Sequence, residues 1–179
     1  MTQGDLLSPV AQALTVRAVV RADAPALADL LNAVIADGGT TALEEPFTAD
    51  TLDRAYLTGP DVHCCFVAVD AATGRIDGFQ TLGRTSSLPD DIGDIGTFAR
   101  IDGKQRGVGT ALFAATRARA RELGLVAINA TIRADNMGGL RFYVKQGFAD
   151  HAVKPAVALR DGTLVDRIQK RYALTPNRD

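Results

Sequence analysis

The sequence predicts a mixed α/β protein in which helices cover a sheet. Strand-like and helix-like runs follow one another in the order β-α-α-β-β-β-α-β-α-β-β, with strands dominating the middle. A strongly periodic helix, residues 108–123, is set between two β-rich runs. Repeats, low-complexity stretches and a dividing linker are all missing, so residues 15–174 read as one domain, after a loose leader at 1–14 and before a tail at 175–179.

The composition fits that class. At 179 residues the chain is long enough to bury a core without staples, and 46% hydrophobic with 23% charged residues is the balance of an ordinary soluble protein. A formal net charge of −1 argues against a dedicated nucleic-acid binder. No apolar run approaches the ~20 residues of a membrane span, and the N-terminus has no basic and apolar pattern of a secretory signal. The two cysteines, Cys64 and Cys65, are adjacent, so they cannot staple distant segments and lack metal-site spacing. A reducing cytoplasm is the simplest location, with neither membrane nor metal implied.

Taken in order, residues 15–19 form the first strand. Asp23 is expected to cap a helix with Pro25 in its first turn and Leu27, Leu30, Leu31, Val34 and Ile35 on one stripe, ended by Asp37-Gly38-Gly39. Residues 40–47 lack a period. Thr48 is expected to cap a second helix with Leu52, Ala55 and Tyr56 on one side, stopping before Gly59-Pro60. Strands at 64–69 and 76–82 flank a hairpin-like turn, and a polar loop leads to a fourth strand at 95–100. In the periodic helix, Val108, Ala111, Leu112, Ala115 and Ala118 are expected inward, with Arg117 and Arg121 toward water; Gly124 closes it. A strand at 126–132, a short helix at 136–146 and a final strand pair split at Arg160-Asp161-Gly162 complete the chain.

Two stretches stand out chemically. In Lys104-Gln105-Arg106-Gly107-Val108-Gly109, two glycines lie between a strand and a helix N-terminus, and two basic side chains stand beside them. Unpaired first-turn N–H groups and the helix dipole make such a turn a phosphate site, unless it is merely a strand-to-helix connection. No G-x-x-x-x-G-K-[ST] is present, and Gly107-x-Gly109 lacks the third glycine of a dinucleotide fingerprint. Further on, Gly138 and Gly139 interrupt a short helix at roughly 1 kcal/mol each. That suggests a close backbone approach, or a marginal helix held by packing of Leu140 and Val144.

The first stretch resembles the [QR]-x-x-G-x-[GA] pyrophosphate loop of the GNAT N-acetyltransferase superfamily, with Lys104 where the family has Gln or Arg. The second, Asn136 to Phe148, resembles that family's N-x-x-[AG]-x-x-F-Y-x-x-x-G-F at every named position. Both stand in the family's order, with one helix and one strand between. The segment 38–48 is similar to the corresponding region of phosphinothricin-type acetyltransferases.

This resemblance implies a mixed, mainly antiparallel central sheet of about seven strands flanked by helices. It also implies direct acetyl transfer from acetyl-CoA to an amine, with no metal. Backbone N–H groups of Gln105, Arg106, Gly107, Val108, Gly109 and Thr110 would hold the pyrophosphate, with Lys104 and Arg106 adding positive charge beside it. The strand edge at Thr97, Phe98 and Ala99 would pair with the pantetheine amides, and Asn136 would bond the cofactor arm. Tyr143 would protonate the departing thiolate, with a core role as its alternative. Glu44 and Glu45 are the preferred carboxylates for the acceptor side, with Asp94 next; His63 and His151 are weaker candidates. The expected acceptor is a small-molecule or amino-acid-like amine. A protein N-terminus or lysine, or a non-catalytic acyl-CoA sensor, is the alternative. A homodimer is allowed.

Overall fold

The computed structural model describes residues 13–103 and 106–174. The leader up to residue 12, Lys104, Gln105 and the tail from residue 175 lie outside the described residues, and with them the readings made there.

Seven strands form one sheet in the order β1-β2-β3-β4-β5-β7-β6. They are β1 Leu14–Ala18, β2 Val62–Asp70, β3 Ile76–Gly83, β4 Ile92–Ala99, β5 Ala127–Arg133, β6 Ala149–Ala158 and β7 Leu164–Ala173. Every neighbouring pair is antiparallel except β4 and β5. That pair is joined by the crossover through helix α3, Val108–Glu122, as a parallel connection requires. The expected mixed, mainly antiparallel seven-stranded sheet is the observed one. Strand boundaries move by one to three residues, because ladder pairing rather than apolar content decides where a strand stops.

Helices cover both faces. Successive side chains of a strand point to opposite sides, so Val67 packs toward helix α1, Ala24–Asp37, while Ala68 packs toward Val108 and Leu112 of α3. The α1 face contains Leu27, Leu31, Leu52 and Phe79. The opposite face contains Leu82, Ile95, Phe113, Ile128 and Phe148, joined by Tyr143 from helix α4, Met137–Lys145.

Three local expectations are corrected. Asp23 does not cap α1 through its side chain; its carboxylate accepts instead from the Val20 N–H at 2.9 Å and from both guanidinium nitrogens of Arg17 at 2.7 and 2.9 Å. The second helix is four residues of α2, Ala49–Leu52, followed by a wide turn at Asp53–Leu57. That turn buries Leu57 and leaves Ala55 exposed, since the wider winding rotates the face. Thr48 does cap it, accepting from the Thr51 N–H at 3.1 Å. In α3 the inward stripe is Val108, Leu112, Phe113, Thr116 and Ala120, with Ala118 exposed, because the large Phe113 ring draws the helix toward Phe148 and Tyr172. Arg117 lies along that cluster, with its guanidinium 5.9 Å from the Phe113 ring centroid.

Candidate active site

The site is a gap in the sheet. β4 and β5 pair from Ile92 with Ala127 to Ile95 with Ala130, and there the pairing ends. Among the described residues β4 continues to Ala99 bonded to β3 alone, with Gln80 opposite Thr97, Phe79 opposite Phe98 and Gly78 opposite Ala99. β5 continues to Arg133 bonded to β7. The β5-facing edge of Thr97, Phe98 and Ala99 is therefore open backbone, and all three line a cleft of ≈ 730 Å³. Gly109, Asn136, Phe142, Tyr143, Tyr56 and Asp94 line the same cleft.

At one end lies the start of α3. Gly107 takes φ +85, left-handed backbone that other residues rarely adopt, and a side chain there would meet nothing within 4 Å. Among the described residues no side chain caps the helix, and its first backbone bond runs from the Ala111 N–H to the Gly107 carbonyl at 2.9 Å. The N–H groups of Val108, Gly109 and Thr110 thus precede the first acceptor within the helix. Gly109 is small for a different reason. A Cβ at that position would stand 2.7 Å from the Phe142 ring, so the glycine lets α3 and α4 meet. Arg106 is exposed; Val108 is buried against β3; Thr110 accepts from the Gln146 amide at 2.9 Å.

The start of α4 lies across the cleft. Asn136 caps this helix, its Oδ1 accepting from the Gly139 N–H at 2.8 Å, while its Nδ2 donates to the Thr40 carbonyl at 2.9 Å. A Cβ on residue 139 would fall 2.6 Å from that amide. The second glycine of the pair is thereby explained by its own cap. One turn on, Tyr143 is 7% exposed, and its hydroxyl stands 2.9 Å from Oγ1 of Thr97. Burial pushes the Tyr143 phenol well above its ordinary range, the Thr97 hydroxyl opposes the shift, and the Asp94 charge adds to it. The raised pKa keeps the phenol protonated.

Asp94 is on the opposite face of β4, where Phe98 lies four residues on. Its Oδ1 accepts from the Asn129 amide at 2.8 Å. Burial raises its pKa above the usual carboxylate value, and the Asn129 bond and the Arg171 charge pull it back. Tyr56, on the same side of the cleft, is raised by burial and by Asp94.

Glu44 and Glu45 do not line the cleft. The backbone N–H of Arg160 donates to both carboxylate oxygens of Glu44, at 3.0 and 3.1 Å, and the Arg160 guanidinium pairs with Glu45 at 2.6 Å. Both are turned toward the tip of the β6–β7 hairpin, which their positions between two helices could not reveal. His63 and His151 are also outside the cleft. Gln80 belongs to the neighbourhood of Thr97 although no motif marks it; its signal in the sequence is a Gln in the middle of an otherwise buried strand. Among the described residues no group of three or more His, Cys, Asp or Glu side chains is placed to hold a metal.

A helix N-terminus, an open strand edge and a buried phenol lie around one cleft, features that suit an extended, phosphate-bearing ligand. The acetyltransferase (GNAT) family model matches residues 39–148, more than half of the chain, and the chain belongs to that family. It is an acetyltransferase of a family that uses acetyl-CoA.

Solved structures share the fold. A GCN5-related N-acetyltransferase from Kribbella flavida is 23% identical, with TM-score 0.78, covering 93% of this chain and 100% of that one. An N-acetyltransferase from Staphylococcus aureus Mu50 is 18% identical, with TM-score 0.78 over 91% and 99%. A phosphinothricin acetyltransferase from Sinorhizobium meliloti, solved in complex with acetyl-CoA, is 18% identical, with TM-score 0.76 over 90% and 88%. No curated protein sequence matches the chain.

Proposed function

We propose that this protein transfers the acetyl group of acetyl-CoA directly to the amine of a small, amino-acid-like acceptor. One observation carries the reading: the cleft joins the α3 N-terminus, the open edge of β4, the Tyr143 phenol and the Asp94 carboxylate. In it the pyrophosphate binds the N–H groups at Gly107 to Thr110, and the pantetheine amides pair with Thr97 to Ala99. The thioester then lies in the gap between β4 and β5.

The chemistry needs a neutral amine and a protonated thiol. Asp94 takes a proton from the acceptor ammonium, directly or through water, and its raised pKa suits a base. The amine nitrogen attacks the thioester carbon, the C–S bond breaks and the departing sulphur takes the Tyr143 proton; the second proton shed by the nitrogen on becoming an amide returns through water to the Tyr143 phenolate, and Asp94 gives its proton to solvent. Strand alternation keeps the two groups apart, with Asp94 on the face shared by Phe98 and Tyr143 reaching Thr97 on the other.

A small acceptor is favoured by how firmly one wall of the cleft, Thr40 to Leu43, is held. The 40–45 segment is tied down by Asn136 to Thr40, by Arg133 to the Thr41 carbonyl at 3.4 Å, and by Glu44 and Glu45 to Arg160. A polypeptide acceptor is expected to need that wall to move. Two free cysteines and the absence, among the described residues, of a helix long and apolar enough to cross a membrane fit a cytoplasmic enzyme.

The test is a panel of amines and amino acids with acetyl-CoA, read by release of free thiol. Turnover with a small amine supports the reading. Turnover confined to peptides would replace it with a protein acetyltransferase, and acetyl-CoA binding without turnover on either would point to a sensor.

A further inference from the structure

Gln80 lies at the middle of β3 and is fully buried, an expensive place for a primary amide unless it is used. Its Nε2 donates to Thr97 Oγ1 at 2.8 Å, and Thr97 Oγ1 stands 2.9 Å from the Tyr143 hydroxyl. Among the described residues Gln80 Oε1 has no partner, so the amide's side-chain bond is the one it gives to Thr97. A threonine hydroxyl has one proton and two acceptor positions. With one acceptor position taken by Gln80, Thr97 can give its proton to the Tyr143 oxygen. The phenolic proton is then left free to point into the cleft that Thr97 and Tyr143 both line.

We propose that Gln80 and Thr97 are positioning residues that aim the Tyr143 proton at the cleft, through a directed chain from Gln80 Nε2 to Thr97 Oγ1 to the Tyr143 oxygen. The inference rests on Tyr143 as the acid of the preceding reading. When Tyr143 releases its proton to the leaving sulphur, the same Thr97 hydrogen bond remains on the phenolate oxygen and stabilises it in a site where burial penalises charge. The opposite amide orientation would do the reverse. Gln80 would accept, Thr97 would donate toward β3, and the Tyr143 proton would be turned back onto Thr97. Thr97 therefore has two separate duties, a backbone edge for the acyl donor and a side chain that orients the acid.

The experiment compares Thr97→Val, Thr97→Ser, Gln80→Met and Tyr143→Phe in the full chain. Thr97→Val keeps the strand edge and removes only the hydroxyl. With acetyl-CoA and the best amine of the panel, it is expected to lower kcat about tenfold and leave KM for acetyl-CoA within about twofold. Thr97→Ser restores most of the rate. A second readout needs no substrate. The chain has three tyrosines, so in protein labelled at tyrosine Cζ the Tyr143 carbon resonance is the one missing from Tyr143→Phe. It is expected to move in Thr97→Val and in Gln80→Met and to stay close to its parent position in Thr97→Ser. A Thr97→Val protein with normal kcat, or with an unmoved resonance, overturns the positioning chain even when Tyr143→Phe is slow. A Tyr143→Phe enzyme of normal turnover overturns the acid itself, and this inference with it.

Discussion

Asp94 on β4 and Asn129 on β5 stand in register across the parallel strand pair, carboxylate to amide at 2.8 Å, one residue before that pair splits. The bond holds a carboxylate at the mouth of the gap, where burial alone would drive it toward neutrality. Asp94→Asn is isosteric and should lower kcat on the order of 10²-fold and remove the acidic limb of the pH profile. Asn129→Leu removes a donor to the charged form, so the limb should move to higher pH. An acid whose pKa rises on folding binds its proton more tightly in the folded state. Its contribution to stability is therefore lost as pH rises through the raised value, and at neutral pH Asp94→Asn should melt no lower than the parent. A clear drop in Tm would mean that the carboxylate is structural.

Gly107 and Gly109 separate by mechanism. Gly107→Ala places a side chain at φ +85 in open space, so its cost is backbone strain of about 1 kcal/mol. Gly109→Ala drives a methyl group against Phe142, an overpacking cost of typically ~1–3 kcal/mol. Phe142→Leu in the same chain should recover part of the loss at 109 and none at 107, read by urea unfolding. Equal recovery at both would mean that the ring does not set the need for glycine at 109.

Glu44 and Glu45 should prove dispensable for the chemistry. Glu44→Gln and Glu45→Gln are expected to keep kcat and the acidic limb, because Arg160 rather than the cleft is their partner. The exposed pair at Glu45 should contribute only ~0–1 kcal/mol to stability. Loss of the acidic limb in either variant would return that carboxylate to the acceptor site.

Asp23 offers a separate acid-stability test. Its bond to Arg17 leads the causes that hold its pKa below 3.8, and the Val20 N–H adds to it. A carboxylate whose pKa falls on folding stabilises the protein above its unfolded value, and that contribution is lost as pH falls through the lowered one. With Arg17 partly in water, Asp23→Ala should cost about 1 kcal/mol at pH 7, or ~2–4 °C in Tm. The difference from the parent should shrink below the unfolded pKa.

The periodicities at 27–35 and 108–123, the turn glycines and the two separated motifs placed the elements by sequence alone and singled out the loop and the short helix that border the cleft. Those features are local: a helix face repeats every few residues, and a left-handed turn needs its glycine wherever it falls. What only the tertiary structure decided is non-local. The splitting of β4 from β5 after Ile95, the pairing of Gln80 with Thr97 and the reach of Tyr143 to Thr97 join residues distant in sequence. Arg160 captures Glu44 across most of the chain in the same way. Two adjacent carboxylates in an irregular segment have no period to say which way they face, so their partners were set by where the β6–β7 hairpin folds back. Asp94 became a carboxylate of the cleft for the same reason: the register of β4 against β5 decides which of its neighbours opens onto the gap.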